Sequence, residues 1–93
     1  MLFDPQSEAD QILEYLLALK EEMPTEDYIV RQLVDHYAKQ GQNDKAIAEL
    51  DGLGDMLLEA GKKSEAVGVI ERIISLSPPN IEAYQKLLKQ LQA

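Results

Sequence analysis

Apolar residues recur along this chain at intervals of three and four, broken by glycine, proline and small polar residues, and no segment reads as a β-hairpin. The spacing predicts five helices. Asp4-Pro5 sets a capping acid before a proline at the first helical position. Ile12, Leu13, Leu16, Leu17 and Leu19 follow at helical intervals. Glu21 and Glu22 close that helix with charge opposed to its dipole. Met23-Pro24-Thr25 then breaks it and caps the next. The second helix runs over 26–40 with the stripe Val30, Leu33, Val34, Tyr37 and Ala38, and Gly41 ends it. Asn43 caps a third helix, which carries Ile47, Leu50, Leu53, Leu57 and Leu58 and ends near Ala60-Gly61. The fourth, over 63–76, is rich in Val67, Val69, Ile70, Ile73 and Ile74. Such residues favour helices less, so a short strand competes locally. Length and spacing favour a buried helix. Ser77-Pro78-Pro79-Asn80 is a stop followed by a cap. The fifth helix carries Ile81, Tyr84, Leu87, Leu88 and Leu91, with Lys86 and Lys89 toward solvent. No linker is long enough to divide the chain, so residues 1–93 form a single domain.

The interval from Leu50 to Pro78 has a further regularity. A tetratricopeptide repeat reads W-x2-L-G-x2-Y, then A-x3-F, then P, over about 34 residues. Leu50 stands in the Trp place, Leu53-Gly54 is the Leu-Gly pair, and Leu57 takes the Tyr place. Ala66 is the small residue, Ile70 takes the Phe place and Pro78 closes the unit. Residues 47–80 therefore resemble one full repeat of that family. Val30, Leu33, Tyr37, Ala46 and Leu50 repeat the spacings of Leu50, Leu53, Leu57, Ala66 and Ile70 at an offset of 20 residues, with Val34 in the Gly place and no closing proline. The third helix thus reads as the second of one hairpin and the first of the next.

The resemblance implies an all-α array of antiparallel helical hairpins that binds proteins and does no chemistry. Repeats of this kind stack, and about three are needed for stability. Here two to two and a half are present. The chain then reads as a piece of a longer solenoid, a small closed bundle, or a core completed by dimerising. Lys86, Lys89 and Gln90 suit the fifth helix to a solvating cap. Gly52 and Gly54 each cost a helix about 1 kcal/mol against alanine. Close helix packing is the expected reason at Gly54; at Gly52 a kink competes on equal terms.

Composition narrows the function. Seventeen acids face nine bases, for a net charge of −8. Phosphate binding needs clustered Lys and Arg, so nucleic acid is not an expected partner. The acids concentrate in residues 1–22, with six against one base, and in residues 42–61, with five against one. No cysteine is present, which removes a disulfide framework, a thiolate metal site and a cysteine nucleophile. No secretory signal or membrane-spanning run is legible, and the cytoplasm is the expected location.

No catalytic arrangement, cofactor motif or metal motif stands out: there is no phosphate loop, nucleophile elbow or HExxH. Ser7, Ser64, Ser75 and Ser77 fall near helix ends, where hydroxyls cap. The candidate partner-binding residues form two rows. Asp51, Asp55 and Glu59 lie at i, i+4 and i+8 on the third helix, the first of its pair, where the family resemblance places the peptide groove. They suit a basic partner segment or an ordinary solvated face. Asp55 stands where members that clamp a carboxylate tail carry Asn, which argues against that ligand. The second helix matches them with Tyr28, Arg31, Asp35 and Lys39. Arg31–Asp35–Lys39 reads as i, i+4 ion pairing, and Tyr28 as a contact residue. His36 reads as a surface residue, and Tyr15, Tyr37 and Tyr84 as packing. The expected function is a non-enzymatic interaction module that docks a protein or peptide; the alternative is a homodimerisation module. Exposure of Leu17, Leu19 or Leu88 would favour the latter.

Overall fold

The computed structural model describes residues 5–24 and 26–93, with side chains from Glu8 onward. Those residues form five helices and no strand: α1 (Pro5–Glu22), α2 (Asp27–Lys39), α3 (Asn43–Glu59), α4 (Lys63–Ser75) and α5 (Ile81–Gln92). The β-branched fourth segment is helical because Val69, Ile70 and Ile73 are buried on one side of it, and burial outweighs a few tenths of a kcal/mol of local propensity.

The joints follow from backbone chemistry. Gly41 and Gly61 have φ of 73° and 76°, the left-handed conformation that costs glycine least. At the first joint the Gly41 N–H donates to the Ala38 carbonyl and the Gln42 N–H to the Tyr37 carbonyl. At the second, Gly61 donates to Leu58 and Lys62 to Leu57 in the same pattern. Both are Schellman caps. The third joint differs. Ser77 takes the left-handed position at φ 56° and donates to the Ile74 carbonyl. Pro78 follows, and without an N–H it cannot make the second cap bond.

The N-caps depart from the sequence reading. Gln42, not Asn43, occupies the N-cap of α3 without a side-chain cap hydrogen bond, and Asn43 is the first helical residue. Glu26 caps α2, its carboxylate accepting the Tyr28 N–H at 3.4 Å. Asn80 does occupy the N-cap of α5, yet its side chain makes no cap hydrogen bond. Asp4 and Thr25, expected as caps, and the Ser7 side chain lie outside the described residues.

Each helix packs only against its sequence neighbours, so the array is long and thin, 57 × 28 × 14 Å. The core lies in the middle three helices. Leu33 and Val34 of α2, Ala46, Leu50 and Leu53 of α3, and Ala66, Val69 and Ile73 of α4 are all but inaccessible to solvent. Ala46 and Ala66 follow their respective glycine joints by five residues, where a small side chain lets the returning helix sit close. α1 and α5 contribute only half-buried apolar groups, among them Leu13, Leu16 and Tyr84, to the edges of this core.

The glycines of α3 play smaller parts than the sequence suggests. A Cβ on Gly54 would meet Cγ1 of Val69 at 3.6 Å, an ordinary van der Waals contact, so the α3–α4 approach does not require glycine there. A Cβ on Gly52 would meet nothing within 4 Å, and α3 runs unbroken through both positions.

Candidate functional site

Polar side chains tie each helix to the next but one. Lys20 of α1 reaches Glu49 of α3 at 2.7 Å. Arg72 of α4 pairs with Asp35 of α2. The Tyr84 hydroxyl of α5 donates to a carboxylate oxygen of Asp51 on α3 at 2.7 Å. The array therefore has two faces, one carrying α1, α3 and α5, the other α2 and α4.

The α3 row lies on the first face. Asp51, Asp55 and Glu59 are all exposed, on the side of α3 turned away from Leu50, Leu53 and Leu57. Asp51 is engaged by Tyr84, which closes that end of the row. Burial first, then the Asp51 hydrogen bond and charge, push the Tyr84 hydroxyl up from 10.0 to about 12. Asp55 adds to the rise and Asn80 opposes it. Asp55 and Glu59 carry the open part of the row.

An apolar groove runs beside the row on the α2 side of α3. One stretch, about 490 Å³, is lined by the half-buried Met56 over the buried Leu53 and Leu57, with Asp27, Glu59 and Lys62 at its rim. A second, about 340 Å³, continues over Leu53 and Met56 to Ala48, Gly52, Pro24 and the Lys20–Glu49 pair. The two adjoin, sharing Leu53 and Met56 in their lining. Gly52 forms part of the wall of the second, which gives the position a surface role instead of an interhelical one.

The α2 residues do not join the α3 row. Asp35 bridges to α4 on the opposite face, and Arg31 pairs with Asp27 at 3.6 Å instead of with Asp35. The expected Arg31–Asp35–Lys39 ladder is thus replaced by one local pair and one tertiary pair. Arg72 reaches Asp35 from α4, and Arg31 pairs instead with Asp27 one turn earlier. Tyr28 is 65% exposed and follows the groove residue Asp27. Tyr15, read from the sequence as packing, is also 65% exposed. His36 is half-buried with its ring edge-on to Tyr37, centroids 6.1 Å apart.

Sequence reasoning missed Glu49, Lys20, Tyr84 and Arg72 as the groups that organise these surfaces. Only Tyr84 carried a signal, since a buried tyrosine usually finds a partner for its hydroxyl.

Among the described residues no cluster of three or more His, Cys, Asp or Glu is arranged to hold a metal ion, and no helix is long and apolar enough to cross a membrane. Compared with known proteins, the chain matches no family model, and no curated protein is significantly similar to it.

Proposed function

We propose that this chain is a non-enzymatic protein–protein interaction module, a tetratricopeptide-like helical scaffold that docks a partner segment against α3. The single observation that carries the reading is the juxtaposition on one helix of an exposed acidic row, Asp55 and Glu59, with a groove whose accessible apolar group on α3 is the half-buried Met56, lying over the buried Leu53. Apolar floors supply affinity and charged rims supply register and partner choice. The preferred partner segment is therefore basic with interspersed apolar residues, with Tyr28 beside Asp27 as a contact at the α2 end and Asp51, Arg31 and Asp35 as supporting residues. A cytoplasmic location suits such a module.

The test is a titration with a synthetic Lys-and-Leu peptide, followed by backbone amide shifts at low and moderate salt. Shifts centred on residues 51–62, and binding weakened about tenfold (about 1.4 kcal/mol) by the pair Asp55→Lys and Glu59→Lys, are expected. Binding indifferent to that pair and to salt would overturn the proposal.

The second reading, a homodimerisation module that completes its core with another copy, draws on Ile12, Tyr15 and Leu17 of α1, which are 47%, 65% and 39% exposed. Leu19 and Leu88 are half-buried and lend it less. Sedimentation equilibrium separates the two. A mass of 10.4 kDa across a wide concentration range favours docking, and a stable dimer favours self-association.

A further inference from the structure

The array obeys a packing rule. Each helix from α3 onward sits on its predecessor and sends or receives one polar bridge to the helix before that: Glu49 to Lys20, Arg72 to Asp35, Tyr84 to Asp51. Run backward, the rule leaves a place for one more helix. It would pack on α1, lie beside α2 on the face that α2 shares with α4, and bridge to α2. The structure has an open groove there, about 290 Å³, between Glu8, Ala9, Ile12 and Leu16 of α1 and a polar α2 wall that includes His36, the Arg72-paired Asp35 and one base, Lys39.

The groove is on the correct flank. Tyr15 and Lys20, five residues apart, point about 140° apart around α1. Lys20 reaches α3, so Tyr15 lies well away from α3, on the side of Ile12. Ile12 and Tyr15 leave 47% and 65% of their surface to solvent. Ala9 and Leu16 form a floor between them and α2, and its small and branched side chains leave room for an apolar stripe. Terminal helices of such arrays ordinarily present a polar outer face. α1 does not.

Charge selects the occupant. Between Glu8 and Glu22, α1 carries five acids and a single base, and that base, Lys20, is paired with Glu49. A second copy is a poor match. Its own α1 brings the same acids into contact, and like charges across an interface are costly. Its α5 presents Glu82, Gln85, Lys86, Lys89 and Gln92 on its outer side, with Leu88 half-buried, so it has no apolar strip to offer. We infer that the free flank of α1 and its groove with α2 receive an amphipathic helix from a partner protein, apolar toward Ile12 and Leu16 and basic along the edge over α1. This surface is distinct from the α3 channel, so either can fail without the other.

The experiment uses the intact chain and a synthetic helical peptide with Leu at i, i+3, i+4 and i+7 and Lys flanking that stripe. Expected are amide shifts over residues 8–19 and 32–40, and affinity reduced at least about tenfold by Ile12→Glu with Tyr15→Glu. Both side chains are exposed, so circular dichroism should show the variant still folded. The same peptide with Glu for Lys should bind at least about tenfold less well, and in the chain carrying Asp55→Lys with Glu59→Lys, which disables the α3 surface, the shifts over residues 8–19 and 32–40 should persist. Shifts confined to residues 51–62, equal binding of the Glu peptide, no binding at all, or concentration-dependent self-association abolished by Ile12→Glu would each overturn the inference.

Discussion

α1 and α5 occupy equivalent places in the array, each packing on one neighbour and neither contributing a fully buried side chain among the described residues. They finish their outer sides differently. α5 turns its Ile81, Tyr84, Leu87 and Leu91 inward and shows Glu82, Gln85, Lys86 and Lys89 to water. α1 turns Leu13 and Leu16 inward and still leaves Ile12, Tyr15 and Leu17 exposed. α1 has more apolar residues than one neighbouring helix can cover. An open array needs its ends solvated to stay single; α5 meets that condition and α1 does not. The contrast gives the array a direction: one terminal helix shows water a polar side, and the other leaves apolar groups exposed.

The comparison can be strained from the middle outward. Leu53→Ala deletes a 1% exposed side chain from α3, where both halves of the array meet, and should cost about 2–5 kcal/mol in chemical denaturation. Ile12→Ala, at the open end, should change stability by no more than about 0.5 kcal/mol. Equal costs would show that α1 is packed as tightly as the core. A smaller gain is expected at the channel. Gly52→Ala adds a Cβ into open space inside a helix and should stabilise by about 0.5–1 kcal/mol, with Gly54→Ala neutral or better.

The ties at the two ends give finer tests. Tyr84→Phe removes the Asp51 hydrogen bond and should cost about 0.5–1 kcal/mol, with faster hydrogen exchange in α5 than in α2–α4. Lys20→Ala loosens α1 and should cost about 0.2–1 kcal/mol, less at high salt. The first has an alkaline signature. Folding raises the Tyr84 hydroxyl from 10.0 to about 12, so the folded chain holds this proton more tightly than the unfolded chain. That stabilisation is complete below pH 10 and is lost as pH rises toward 12. Thermal melts of the wild type and Tyr84→Phe should converge across that window; a gap that stays constant would show that the hydroxyl does not sense Asp51.

Most of the fold was legible locally. Gly41 and Gly61 marked their joints because helices commonly end on a left-handed residue that glycine adopts cheaply. The Leu50, Leu53 and Leu57 stripe marked the buried side of α3 because the helical period places those residues together. The candidate site was legible only as a row. That Asp55 and Glu59 face water followed from the same period, but the far wall of the groove beside them is made by Pro24 of the α1–α2 joint and by Asp27 and Val30 of α2. Glycine at 54 misled because its rarity in helices suggests close packing, and only the distance to Val69 shows that a methyl fits.

The chain alone determined which segments are helical, which side of each is apolar and how strongly its acids outnumber its bases, since these depend on neighbours within one or two turns. The tertiary structure decided which acids are engaged and which remain open. Asp35 chose Arg72, 37 residues away, over Arg31 four residues away, and Asp51 chose Tyr84, 33 residues away. Those choices depend on which helices lie side by side. Packing also set the difference between the ends: α1 and α5 read alike as amphipathic helices, and whether an apolar residue on either is covered depends on how many helices reach it.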